Sequence, residues 1–116
     1  MKTFLAVYIG TPDSKSKWED LTDAQKQERQ QHGIAAWHKW GSDNVGVIEN
    51  MGGPLGKTKS VSPSGIADIR NNMTGFTLIK AESHEATAKL FLNHPHFSIF
   101  PGDAVEIMEV MPIPGA

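Results

Sequence analysis

Residues 74–97 read TGFTLIKAESHEATAKLFLNHPHF. The apolar run from Phe76 to Ala81 is rich in aromatic and β-branched side chains, which predicts a buried strand. Ser83 follows at once, and its hydroxyl can accept a hydrogen bond from a free amide in the first turn of a helix. Pro95 disfavours the α conformation at the residue before it, so this helix is predicted to end at His94. The stretch therefore predicts a strand, a tight turn and a helix with a histidine at its exit.

The composition limits the class of protein. The chain has 116 residues, with 11 basic and 13 acidic side chains and a formal charge of −2. This length predicts a single domain, residues 1–116, that buries about two-thirds of its unfolded surface. No basic stripe could follow a phosphate backbone, so we expect no nucleic-acid partner. The absence of cysteine excludes disulfides, thiolate metal sites and cysteine nucleophiles.

The N-terminal residues are not predicted to form a targeting signal. The apolar run Phe4 to Ile9 after Lys2 is short for the core of a signal peptide, and residues 11–13 offer no small-residue cleavage site. No run approaches the ~18 apolar residues of a membrane span. We therefore predict a cytoplasmic protein with no membrane partner, and we interpret this run as the first strand.

The first long helix is predicted from its N-terminal signal. Thr22 and Gln25 have the spacing of a capping box, so the helix should start near Asp23. It should run to about Trp40, with Gly41 at the position that ends a helix. Apolar side chains occur only in the second half of this segment, which predicts that only that half packs on a core.

The first half of this helix is polar on every side, which leaves two interpretations. Its first turns can project into solvent, or its inner face can line a water-filled pocket. The second interpretation places three side chains in that pocket, namely Glu28, Arg29 and His32. Both interpretations stay open at the level of sequence.

Five strands are predicted, over residues 3–9, 44–51, 57–62, 76–81 and 104–111. Residues 10–17 are predicted to form a polar turn, and residues 65–72 a polar loop. The order is strand, helix, three strands, helix, strand, which is the ferredoxin-like split βαβ pattern with a hairpin extension. The predicted fold class is α+β, with an antiparallel sheet and two helices on one face.

Both faces of the predicted first strand are apolar. Phe4, Ala6 and Tyr8 alternate with Leu5, Val7 and Ile9. Two helices cover only one face of a sheet, and an uncovered apolar face is too large a patch for a free monomer. We therefore predict a homodimer in which two sheets pack face to face.

Several segments together resemble the YCII-related (DGPF-type) domains, over nearly the whole chain. They are the glycine-proline turn and threonine-lysine strand of residues 53–59, the strand and cap of residues 75–83, His94-Pro95, and residues 105–107. The resemblance implies a dimeric α+β barrel of ferredoxin-like protomers. Most members have no known function, but a few act on small molecules, including a dehydrochlorinase of chlorinated hydroxylated aromatics.

The resemblance also implies candidate catalytic residues. YCII itself is thought to pair a histidine on the first helix with an aspartate near the end of the second. His32 best fits the first role, and His94 occupies the position of the aspartate. Gly52 replaces the aspartate of the DGPF turn.

We predict that His32 and His94 exchange protons with a substrate, because imidazole titrates near neutral pH. Two alternatives stay open: His94 caps the C-terminus of its helix, or both histidines ligate a divalent metal. No metal or other cofactor is predicted. Four residues are predicted to bind substrate, Arg70 and Asn72 by orienting it and Tyr8 and Trp18 at the pocket entrance. His96, His38 and His84 are predicted to face solvent.

The function predicted from sequence is that of a small-molecule enzyme. It would carry out histidine-dependent acid–base chemistry, elimination or hydrolysis, in a pocket between the first helix and the sheet. The alternative is a non-catalytic homodimeric module that binds a small ligand or serves in regulation.

Overall fold

The computed structural model describes residues 1–115. Its elements, in chain order, are β1 (Lys2–Ile9), α1 (Pro12–Glu19), α2 (Asp23–Asp43), β2 (Ile48–Pro54), β3 (Thr58–Ser62), β4 (Gly65–Ile69), β5 (Met73–Ala81), α3 (His84–Leu90), α4 (Pro95–Ser98) and β6 (Ala104–Glu109). None of the helices within residues 1–115 is both long enough and apolar enough to cross a membrane.

Four strands form the main sheet, in the order β2-β5-β1-β6, and each neighbouring pair is antiparallel. The strands β3 and β4 form a separate two-stranded hairpin between β2 and β5. With that hairpin set aside, the order is that of the ferredoxin-like fold, so the predicted α+β class is confirmed. The sheet ends at β2 on one side and at β6 on the other, so the described residues form no closed barrel.

The core lies between the main sheet and the helices. Alternate residues of a strand point to opposite faces, and the buried residues of β1 and β5 that pack in one cluster are Phe4, Ala6, Tyr8, Ile79 and Ala81. Phe91, just after α3, completes this cluster, and Trp37 and Trp40 of α2 pack against it. The indole Nε1 of Trp40 donates to the carbonyl of Leu90 at 2.8 Å, which ties α2 to α3.

The helix α2 begins as predicted and ends later. Thr22 Oγ1 accepts from the amide of Gln25 at 3.1 Å, and Gln25 Oε1 accepts from the amide of Thr22 at 2.9 Å. The predicted end at Gly41 is wrong, because the helix continues to Asp43. Asn44 caps the helix instead. Its backbone N–H and its side-chain Nδ2 both donate to the carbonyl of Trp40. A Cβ at Gly41 would make an ordinary contact with the side chain of Met51 at 3.4 Å, so packing does not require glycine at this position.

Two segments that were predicted to lack regular secondary structure contain it: one forms a helix and the other a strand. Residues 10–17 were predicted to be a turn, but α1 starts at Pro12, because Asp103 accepts from the Thr11 amide and the Ser14 hydroxyl at 2.6 Å each. That partner lies far away in sequence, but the local signal of Pro12 and Asp13 in the first turn was also missed. Residues 65–72 were predicted to be a loop, but β4 pairs with β3, with Lys59 opposite Asp68. Polar composition suits an exposed hairpin as well as a loop.

The predicted single helix of residues 83–94 is also wrong in its second half. The helix α3 ends at Leu90, Asn93 adopts a left-handed conformation with φ 58°, and α4 starts at Pro95. Proline is favoured in the first turn of a helix because its φ is already helical and its missing N–H is not needed there. The signal that stops one helix therefore starts the next, and His94 is the N-cap of α4, not a C-terminal cap.

Candidate active site

A large cavity of about 1050 Å³ lies between α2 and the sheet, where a pocket was predicted. The second half of α2 forms one wall, and β2 with the first residues of β5 forms the other. Its lining is mainly apolar or glycine, and the contributing large side chains include Tyr8, Ile34, Trp37, Val45, Ile48, Met51, Phe76 and Phe100. The lining of the cavity therefore suits a largely apolar small molecule.

Four ionisable side chains line this cavity, namely Tyr8, His38, Glu49 and His96. His38 is exposed, and Glu49 lies 3.3 Å from the ammonium of Lys80. Tyr8 and His96 are the buried members, with 3% and 7% of their surfaces exposed. The buried pair therefore decides what chemistry the cavity can support.

His96 is held in one tautomer by the backbone. Its Nε2 lies 2.8 Å from the carbonyl oxygen of Ile9, which can only accept, so in the neutral ring Nε2 carries the hydrogen and Nδ1 the lone pair. The ring packs so closely under Gly102 that a Cβ at that glycine would overlap it. None of the hydrogen bonds found within residues 1–115 uses Nδ1 of His96.

Burial lowers the pKa of His96, and its hydrogen bond to Ile9, the nearby charge of Asp103 and the backbone of Ala104 only partly oppose this effect. The ring is therefore neutral at neutral pH. A neutral imidazole with a free lone pair can accept a proton from a bound molecule.

His94 is buried behind the cavity, with 1% of its surface exposed. Its Nδ1 accepts from the amide of His96 at 3.0 Å, so Nε2 carries the hydrogen, and that atom is buried without a partner. The rings of Trp37 and Trp40 lie 4.6 Å away, at 90° and 73°. Burial, aided by the charge of His96, lowers the pKa of His94 to about 4.

Tyr8 lies with its ring on the cavity wall and its hydroxyl in the sheet. Thr77 Oγ1 donates to the carbonyl of Met51 at 2.9 Å, so it has no hydrogen left and must accept from the Tyr8 hydroxyl at 2.7 Å. Burial raises the pKa of Tyr8 to about 12, despite the opposing bond to Thr77. Tyr8 is therefore a neutral phenol that contributes an aromatic surface rather than a proton.

Comparison with known proteins supports the architecture. No family model matches the chain, and no curated protein matches it. A solved structure does share its fold. It is the 5-chloro-2-hydroxyhydroquinone dehydrochlorinase of Burkholderia phenoliruptrix, determined in complex with 2,5-dihydroxybenzoquinone. The two are 18% identical, the match covers 94% of this chain and 93% of that chain, and the TM-score is 0.55. At this identity the similarity establishes the fold alone.

The six site residues predicted from sequence are not brought to one place. Tyr8 lines the large cavity, and Trp18 lines a smaller one. His32 is exposed, as are Arg70 and Asn72, and these three line neither of the two cavities. His94 is buried and also lines neither.

The two interpretations of the polar half of α2 can now be separated. Glu28 and His32 are exposed and face neither cavity, as expected if the first turns project into solvent. Arg29 is exposed but lines the smaller cavity. The wall of the large cavity comes instead from the second half of the helix, from Ile34 onward.

Sequence reasoning missed His96, which was predicted to face solvent. That prediction is wrong, because α4 turns the chain after Pro95 and buries the residue that follows it. The signal that could have found it is Pro95, because proline also favours the first turn of a new helix. Within residues 1–115, no group of three or more histidine, aspartate or glutamate side chains is arranged to hold a metal ion.

Proposed function

We propose that this protein is a small-molecule enzyme that catalyses a proton-transfer elimination on a flat hydroxylated ring compound. The substrate would lie in the large cavity, and His96 would be the base. One observation carries this proposal: a buried, neutral histidine lines a cavity of about 1050 Å³, and its Nδ1 takes part in none of the hydrogen bonds found within residues 1–115. Aromatic walls from Tyr8, Trp37 and Phe100 suit a planar ring.

The chemistry can be written as a balanced step. In a ring tautomer whose carbon bearing the leaving group is tetrahedral, Nδ1 of His96 takes a proton from a conjugated hydroxyl. The electron pair moves through the ring and the leaving group departs with its bonding pair, so a quinone and a halide ion form. The bond from Nε2 to Ile9 holds the ring in place as it becomes charged.

Two likenesses support this choice of substrate class. The solved structure with the same fold is a dehydrochlorinase that bound a dihydroxybenzoquinone. The sequence resemblance to YCII-related domains points to the same kind of chemistry, and we propose that the chain is a member of that group. Here the base would be His96 in place of the predicted pair His32 and His94, because it alone of the three lines the large cavity.

Binding of 2,5-dihydroxybenzoquinone is expected to raise the melting temperature, since a ligand that binds only the native state stabilises it. Incubation with a chlorinated hydroxyhydroquinone is expected to release chloride. Ser42 lines the cavity whereas Ser16 of α1 does not. Ser42→Trp should therefore abolish the thermal shift, and Ser16→Trp should leave it intact. An equal shift in both variants, or none in the wild-type protein, contradicts the proposal.

A second candidate is a module that binds such compounds without converting them. It is favoured by the placement of the other ionisable side chains, because His38 is exposed and Glu49 is engaged by Lys80. His96 would then have no proton donor opposite it. Saturable quinone binding without chloride release from any chlorinated substrate would identify this function.

We also propose that the protein is a homodimer formed through the sheet face opposite the helices. Leu5 pairs with Leu78 and Met108 across that face, and Met108 is 41% exposed. The radius of gyration is 16.1 Å, against about 13 Å for a compact chain of this length. An apolar face and an extended shape both fit a chain that packs against a copy of itself.

Light scattering at micromolar concentration is expected to give twice the mass of one chain. Met108→Lys places a charge on the open face and should yield a monomer, because an unpaired buried charge is costly. Leu92 is 72% exposed and follows α3 on the helix side, so Leu92→Lys is the matched control and should stay dimeric. A wild-type mass of one chain would rule out the dimer.

A further inference from the structure

A second cavity of about 450 Å³ adjoins the large one, and Phe100 lines both. Its other walls come from α1, the polar half of α2 and the segment between α4 and β6. The side chains that matter here are Lys17, Trp18, Arg29, Phe97, Phe100 and Asp103. This cavity contains two cationic side chains, Lys17 and Arg29, whereas the described lining of the large one includes no lysine or arginine.

The two cations of this cavity make no ion pair in the described part of the chain. Neither Lys17 nor Arg29 takes part in any of the ion pairs found within residues 1–115. Asp103 is the acidic residue of the cavity, but the Thr11 amide and the Ser14 hydroxyl each donate to one of its oxygens at 2.6 Å. Its carboxylate thus starts α1 and keeps its negative charge, because these bonds lower its pKa. The lining therefore carries two positive charges against one negative charge.

The walls of the cavity are aromatic. The rings of Trp18 and Phe100 lie 6.0 Å apart at 38°, and Phe97 lies on the same wall. Phe100 is held by Gly33 of α2, because a Cβ at that position would overlap its ring. The aromatic wall therefore exists before any ligand binds, which reduces the entropy lost on binding.

We propose that the second cavity is a binding site for aromatic monocarboxylates. The ring of the ligand would pack against the aromatic wall that Trp18 and Phe100 form together. Its carboxylate would be bound by Arg29 and Lys17, since guanidinium pairs with carboxylate through two parallel hydrogen bonds. An inorganic anion would use only the cations and leave the aromatic wall exposed. This site does not depend on any chemistry in the large cavity.

The test uses benzoate and benzamide, which share a shape and differ in charge. The NMR signal of the Trp18 indole N–H is identified by its loss in the variant Trp18→Phe. This signal should shift saturably with benzoate and far less with benzamide. The signal of Trp40, whose N–H is bonded to Leu90, should not move. Equal responses to the two compounds, or shifts at Trp40 without shifts at Trp18, would overturn the proposal.

Matched variants separate this site from general charge attraction. Replacing Lys17 and Arg29 together by glutamine should weaken benzoate binding by about 10- to 100-fold, since bonds between charged groups are lost. Lys15→Gln with Lys26→Gln removes the same charge from the same two helices, outside both cavities. Binding in that control should change by less than about twofold. Equal weakening of benzoate binding in both double variants would contradict a specific site. This result is independent of whether 2,5-dihydroxybenzoquinone binds in the large cavity.

Discussion

Replacing His96 by glutamine is expected to lower the turnover number of the elimination by about 100- to 10,000-fold, the usual contribution of a positioned base. Glutamine keeps an N–H that can donate to the carbonyl of Ile9, as Nε2 does now. It provides no basic lone pair in place of Nδ1. The loss should therefore appear in turnover, while binding of 2,5-dihydroxybenzoquinone and the folded circular dichroism spectrum are retained.

The matched control is His32→Gln, because His32 is exposed and lines neither cavity. Its turnover should equal that of the wild-type protein. If His32→Gln lost activity and His96→Gln kept it, the base would be the residue predicted from sequence. The pH profile adds a second readout. Burial lowers the pKa of His96, so kcat/KM should hold through pH 6.5 and fall only as pH drops through that lowered value.

Acidification from pH 6.5 to 4 is expected to lower the free energy of unfolding by about 3 kcal/mol through His94 alone. Its pKa is about 4 in the folded protein and 6.5 in the unfolded chain. Below pH 6.5 the unfolded chain binds a proton that the folded protein does not, so stability is lost until the folded pKa is reached. His96 shifts in the same direction. The pKa of Asp103 is lowered from 3.8, so its carboxylate takes up a proton only below this pH range.

Urea denaturation at a series of pH values measures this loss. His94→Asn keeps an acceptor for the amide of His96, which His94 Nδ1 now binds, and removes the titrating ring. Its stability should be lower at pH 7, because a cavity forms among the aromatic side chains, but should depend much less on pH between 6.5 and 4. His32→Asn is the exposed control and should keep the wild-type slope. An unchanged slope in His94→Asn would show that His94 is not the group responsible.

Much of the fold was predictable because its signals are local. The alternation of β1, the capping box of Thr22 and Gln25, and the strand–cap order of residues 76–83 each involve neighbours in sequence. One error came where a distant residue decides, and the others came where local signals were misinterpreted. Asp103 starts α1, Asn44 rather than Gly41 ends α2, and β4 exists because β3 pairs with it.

The candidate site was less predictable. A histidine on a helix is recognisable in sequence, but whether it faces a cavity depends on the packing of elements far apart in the chain. His32 had the expected position on the first long helix and proved to be exposed. His96 was taken for a surface residue because its burial depends on α4, on β1 and on the close approach of Gly102.

By itself the sequence determined the α+β class and the absence of thiol chemistry, since these follow from hydrophobic period, capping residues and composition. Only the tertiary structure decided which histidine lines the large cavity and which is sealed among tryptophans. The physical reason is that burial and hydrogen-bond partners set the charge state of an imidazole. Both depend on side chains that the chain brings together only when it folds.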